Sequence, residues 1–197
     1  MITERLKTET RPHHDAIEKV SFSDKIMSGQ LTYEEYKILI INNYILNSLL
    51  EKELSGLPSF TGLPGLDWEK RKKTELLKKD LEVLGLNADE IDRHGYSYLL
   101  ADELDALGSF YVLEGSTLGG AVISRFLRKN ENLKDVPEFH FYGCYGDQVG
   151  PNWKNFQQVL VATASDTEKE DRIVASACKT FDFFTTLFQN SLAEKQK

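Results

Sequence analysis

Phe110-Tyr111-Val112-Leu113-Glu114-Gly115-Ser116-Thr117-Leu118-Gly119-Gly120-Ala121-Val122-Ile123-Ser124-Arg125-Phe126-Leu127-Arg128-Lys129 is the stretch on which the fold turns. Its apolar residues, among them Phe110, Leu113, Leu118, Val122, Ile123, Phe126 and Leu127, recur at three and four, the spacing of a helical face. Gly115, Gly119 and Gly120 fall inside that helix, although each costs about 1 kcal/mol there relative to alanine. Gly115 and Gly119 share a face. Together with Gly120 they strip side chains from a patch of helix surface and favour a kink. Bare backbone admits a close neighbour, either a second helix at a tight crossing or a flat ligand, and spacing alone permits both.

Upstream, Leu6, Thr10, His13/His14, Ile17 and Val20 follow one helical face, with Pro12 kinking that helix or starting a second piece. Ser23-Asp24-Lys25 opens a short helix closed by Gly29. Thr32 caps the next in a capping-box arrangement with Glu35, and this helix runs to about Leu54 with Tyr36, Leu39, Ile40, Asn43, Tyr44, Leu46 and Leu50 turned to the core. Residues 56–65, punctuated by Gly56, Pro58, Pro64 and Gly65, read as a loop. A charged helix is expected from Trp68 to Leu84, with Lys70-Arg71-Lys72-Lys73 as a solvated face. A further helix from about Tyr98 leads into the glycine-rich one. Glu138 to Asn152 reads as irregular, pinned by Phe139, Phe141, Tyr142 and Tyr145. Helices from Trp153 to about Ala164 and from Thr167 to about Leu192 complete the chain. With no strand pattern and no internal repeat, the expected fold is all-α, a single multi-helix domain spanning residues 1–197.

The 197 residues, 41% of them hydrophobic, suffice for one substantial core. No window approaches the roughly 18 uninterrupted apolar residues of a membrane span, and the first residues lack the apolar core of a signal peptide. A cytoplasmic protein is expected, without a membrane partner. A net charge of -7 argues against nucleic acid. Cys144 and Cys178 lie far apart without metal-ligand spacing.

Nucleophile elbow, phosphate loop, zinc motif and EF-hand loop are all missing from the sequence. Of the four histidines, His94 and His140 fall in expected loops. His14 has Glu18 four residues on, so the two share a face. A carboxylate beside an imidazole fixes its tautomer and raises the basicity of the other ring nitrogen, as a metal-bound histidine requires. An ordinary helix-surface pair has the same spacing.

Two motifs taken together go further. Leu6-Lys7-Thr8-Glu9-Thr10-Arg11-Pro12-His13-His14-Asp15-Ala16-Ile17-Glu18 fits L-K-x-x-T-x-x-x-H-x-x-x-E, and Glu114-Gly115-Ser116-Thr117-Leu118-Gly119-Gly120 is close to E-G-S-x-L-G-[GA]. In this pair the chain resembles the haem oxygenase family, particularly its bacterial members. Trp153, Phe156, Leu160 and the last helix through Phe181 extend the likeness more weakly. The resemblance implies a haem sandwiched between the first helix and a kinked glycine-rich helix, with haem as both cofactor and substrate. It implies O2-dependent ring opening to biliverdin, carbon monoxide and Fe2+, with electrons from a separate ferredoxin, flavodoxin or reductase.

Site residues follow from the same resemblance. His14, rather than His13, is the neutral proximal metal ligand and Glu18 its orienter. Lys7 and Arg11 face the haem propionates, and Phe181 belongs to the haem-binding set. Gly115, Ser116, Gly119 and Gly120 form the catalytic distal face. Ser116 stands where many relatives carry an aspartate that organises distal water, and Glu114 is either a substitute organiser or part of a local network. A carrier or sensor of the same fold that binds haem without turning it over is the alternative motivated by Ser116. A helical interaction or phosphotransfer module is a third, and it leaves the glycines unexplained.

Overall fold

The computed structural model describes residues 1–93 and 95–194. Its α-helices are α1 (Ile2–Glu9), α2 (Arg11–Val20), α3 (Ser23–Met27), α4 (Tyr33–Ser55), α5 (Pro58–Thr61), α6 (Thr74–Val83), α7 (Glu103–Leu127), α8 (Val149–Thr163) and α9 (Thr167–Glu194). Short 3₁₀ turns join several of them, and no strand occurs among the described residues. Pro12 begins a separate helix, because it sits in the first turn of α2 where a missing N–H costs nothing. At α4, Thr32 Oγ1 accepts from Glu35 N while Glu35 returns the bond to Thr32 N, so the capping box is complete.

The core centres on α7 packed along α9, the most extensive helix pair among the described residues. The crossing is tightest at Gly108, where a Cβ would lie 2.2 Å from Ile173 O and 2.7 Å from Ser176 Cβ. Small hydroxyl residues fill the same crossing: Ser109 and Ser176 meet at 3.1 Å, and Thr180 Oγ1 bonds Ser109 Oγ at 2.9 Å and Tyr98 OH at 2.7 Å. By length and composition α7 is apolar enough to cross a bilayer, with mean hydropathy 1.2 over its most apolar window; 56% of that window is buried inside the fold.

Three expectations change. The helix expected from Tyr98 begins at Glu103, because Asp102 caps it by accepting from Leu104 N and Asp105 N. The expected Trp68–Leu84 helix is a 3₁₀ turn, Trp68–Arg71, then α6 from Thr74, because Glu51 accepts from Lys73 N and Thr74 N and fixes the break. The Lys70–Lys73 run is not a uniformly solvated face. Arg71 and Lys73 are 4% and 1% exposed and both pair with the fully buried Glu114 carboxylate. In addition α8 starts at Val149, ahead of the expected Trp153, and a single turn of helix, α5, interrupts the loop at residues 56–65.

Residues 139–145 wrap α7 as the aromatic pattern predicts, with Phe139, Phe141 and Tyr142 buried. Asp80 of α6 holds this segment by accepting from His140 N at 2.7 Å and Phe141 N at 2.8 Å. Burial pushes the Asp80 carboxyl above its ordinary value, against the pull of those two N–H groups. His140 is half-buried beside Glu138. His94 lies outside the described residues.

Candidate functional site

A cavity of about 420 Å³ opens between α2, α4 and α7, with α9 and Trp153 of α8 completing the wall. This volume falls within the roughly 300–1,000 Å³ of small-molecule sites. α2 presents His14, with Lys7 of α1 and Arg11 at the same wall. The His14 ring is exposed toward solvent and cavity, and packs edge-on against Phe181 with centroids 5.7 Å apart and planes at 75°. Glu18 Oε2 lies 3.6 Å from His14 Nδ1, longer than a hydrogen bond but within ion-pair reach. That arrangement leaves Nε2 available as a ligand. His13 instead directs Nδ1 to Asp182 Oδ1 at 2.6 Å and does not line the cavity. Periodicity left the choice between the two histidines open, and the structure brings His14 to the cavity.

α7 supplies Gly115, Ser116 and Gly119 to the cavity. Added Cβ atoms there would come no closer than 3.8 Å to Trp153 at Gly115 and 3.9 Å to Ile123 at Gly119. No helix therefore needs these glycines. The tight helix crossing is met at Gly108, and the bare patch at Gly115 and Gly119 faces open cavity space where a flat ligand would lie against backbone. Gly120 is different. It lies outside the cavity lining, and a Cβ would be 3.4 Å from Tyr142 O, so the structure places it against residues 139–145 and not with Gly115 and Gly119. Ser116 Oγ donates to Leu113 O at 2.7 Å, which leaves its lone pairs for the cavity.

Glu114, two positions before Ser116, points elsewhere. Arg71 Nη1 and Lys73 Nζ both donate to it, Lys73 at 3.2 Å, and Tyr145 OH donates at 3.1 Å. Arg71 spends its remaining donors on Leu66 O, Asn152 O and Asn155 Oδ1. The local-network reading of Glu114 is the one realised.

Several lining residues were not singled out from the sequence. Tyr111 packs at a tilt against Trp153, ring centroids 5.6 Å apart, and burial pushes its hydroxyl pKa up while Thr10 pulls it down. Asn43 and Asn47 of α4 also line the cavity. Their signal was present, since Asn43 falls on the apolar face of α4, where an amide needs a reason to be buried.

Fold and site together define an all-helical protein with a mostly apolar slot, a histidine on one wall and bare helix backbone on another. The sequence model of the family described as "Heme oxygenase" matches residues 1–190. A curated heme oxygenase of Xanthomonas campestris pv. campestris is 29% identical over 158 residues, 80% of this chain and 91% of that one. Among solved structures, the NO- and CO-bound heme oxygenase of Neisseria meningitidis aligns at TM-score 0.75 and 20% identity, over 98% of this chain and 92% of that one. Heme oxygenase-1 of the cyanobacterium Synechocystis in complex with heme gives TM-score 0.75 and 19% identity, covering 96% and 91%. Heme oxygenase from Leptospira interrogans gives 0.76 and 18%, covering 96% and 98%. The chain belongs to the haem oxygenase family: it is an enzyme of the haem-degrading type, and haem is the ligand the family takes.

Proposed function

We propose that this protein opens haem oxidatively to biliverdin, carbon monoxide and Fe2+, using O2 and electrons from a separate ferredoxin, flavodoxin or reductase, in the cytoplasm. The observation that carries this reading is a single cavity walled by both His14 and the bare backbone of Gly115 and Gly119. The residues fit the group: an imidazole with a free Nε2, two cations at one rim, and a stretch of backbone without Cβ atoms.

Bound haem supplies the redox-active iron and the macrocycle that is consumed. His14 would hold the iron through its imidazole, a ligand that unlike a thiolate does not push electron density strongly toward O–O cleavage. Glu18, beside Nδ1, would orient the ring so that Nε2 is presented to the iron. The edge contact with Phe181 limits rotation of the His14 ring. Lys7 and Arg11 place positive charge where the carboxylates of a propionate-bearing edge would sit. Arg11 is shared with Asp15 at 2.7 Å, so Lys7 carries more of this task. On the distal side Gly115 and Gly119 let α7 approach the ring face closely, and Ser116 Oγ offers lone pairs to distal water.

Purified protein supplied with haemin, air and a ferredoxin–reductase system should convert its Soret band to a bilin spectrum with release of carbon monoxide. A Soret band that persists through many equivalents of reductant would overturn the catalytic reading.

A further inference from the structure

The core grips α2, the helix that carries His14, at a single point. Of its ten residues only Ile17 is buried. Two of its polar pairs stay on the helix itself: Arg11 with Asp15, and His14 with Glu18, each four residues apart. Such pairs stiffen a helix but cannot set its rotation against its neighbours. One pair leaves α2. Among the described residues, the contact of His13 Nδ1 with Asp182 Oδ1 at 2.6 Å is the only hydrogen bond or ion pair that joins an α2 side chain to another element. A carboxylate can only accept, so the imidazole donates from Nδ1.

Asp182 follows Phe181 on α9 as His14 follows His13 on α2. Phe181, 8% exposed and rooted in the core, meets the His14 ring edge-on at 5.7 Å. Adjacent residues of α2 are thus held by adjacent residues of α9, the helix on which α2 packs most extensively among the described residues. The Phe181 contact bears on the His14 ring, whereas the Asp182 bond bears on the helix as a body. With Cα about 2.3 Å from the axis, a histidine ring nitrogen stands roughly 6–7 Å out, and a rotation of about 10° moves it by on the order of 1 Å. Misplacement of that size at a reacting group costs up to about a hundredfold in rate.

We propose that Asp182 is a positioning residue for the haem reaction: by accepting from His13 it fixes the rotation of α2 about its axis, and with it the direction in which His14 presents Nε2 to the iron. The inference rests on the reading of His14 as the iron's ligand. Neither His13 nor Asp182 lines the cavity, so the effect reaches haem only through α2.

The test compares haemin-loaded wild type, Asp182→Leu, His13→Leu, the double variant and Asp182→Asn. The pair is partly exposed and contributes little to folding, so the variants should fold. The readouts are the iron–histidine stretching band of the reduced complex in resonance Raman spectra and the initial rate of ring opening. Asp182→Leu should shift or broaden the band and slow ring opening by about tenfold. The double variant should match either single leucine variant, because both remove the same bond. Asp182→Asn keeps an oxygen for His13 Nδ1 and should retain the wild-type band. An unchanged band in Asp182→Leu overturns the proposal even if the rate falls, and so do leucine variants whose effects add. A wild-type complex without an iron–histidine band, or with one that survives His14→Ala, would instead defeat the assignment of His14.

Discussion

Gly108, Gly115 and Gly119 lie on one helix and answer to different neighbours. At Gly119 an added methyl would touch only Ile123 at 3.9 Å, and at Gly115 only Trp153 at 3.8 Å. Alanine at either position should therefore raise the urea midpoint, since it removes about 1 kcal/mol of helix penalty per glycine. The same substitutions should weaken haemin binding by about tenfold or more, because the methyl occupies the space a ring face would take. Improved stability with unchanged haemin affinity would show that the bare patch is not a ligand face. At Gly108 the outcome reverses: a methyl 2.2 Å from Ile173 O forces α7 and α9 apart, and Gly108→Ala should cost on the order of 3 kcal/mol in chemical denaturation. Three glycines close together announced bare backbone, yet which was for ligand and which for packing was not legible. That depends on what lies opposite, and Gly120, which faces Tyr142, looked no different in sequence from Gly119. His14 and His13 posed the same problem. They are adjacent, and only the placement of Asp182 on α9 explains why His13 turns away.

The start of α7 is held by a carboxylate that periodicity could not reveal. Asp102 accepts from Leu104 N and Asp105 N, and Arg172 of α9 donates to both of its oxygens, at 2.8 and 2.7 Å. Burial pushes the Asp102 carboxyl up, but Arg172 and those backbone N–H groups outweigh it and hold its pKa below the ordinary value. A depressed folded-state pKa gives stability that is complete above the unfolded pKa of about 3.9 and lost as pH falls through the folded value. Asn at this position still caps a helix, so Asp102→Asn isolates the charge. The urea midpoint of wild type should exceed that of Asp102→Asn at pH 7, and the gap should close on acidification below about pH 4. A gap that is independent of pH would remove the charge from the explanation. Capping boxes such as Thr32 and Glu35 were readable because both partners are local. Asp102 is bound to a residue seventy positions on, and Glu51, which ends the 3₁₀ turn before α6, acts across twenty-two.

Around α7 the molecule buries a carboxylate between two cations from the Lys70–Lys73 run. Removing charge from Glu114 leaves Arg71 and Lys73 in a nearly dry interior, so Glu114→Gln should lose about 3–5 kcal/mol of stability by denaturant titration. A loss under about 1 kcal/mol would mean that the two cations relax to solvent. This cluster ties residues 66–73 and Asn152 to the helix segment that carries Gly115 and Ser116. A basic run normally lies in water, and nothing local marks Arg71 and Lys73 as exceptions; only the fold brings Glu114 to them. The helical class was readable because it rests on a periodic pattern, whereas the pairing of His14 with the glycine helix came from the resemblance of the two motifs to the haem oxygenase family. The polar floor of Asn43 and Asn47 was legible only as far as Asn43 on the apolar face of α4, because an amide there declares that it is buried but not what it faces. The most direct measurement on the whole account is a haemin titration of wild type and His14→Ala, followed by optical and electron paramagnetic resonance spectra. The account predicts stoichiometric binding with an imidazole-ligated ferric signal in wild type, and loss of that signal in His14→Ala. An unchanged signal in His14→Ala, or no haemin binding by wild type, would contradict it.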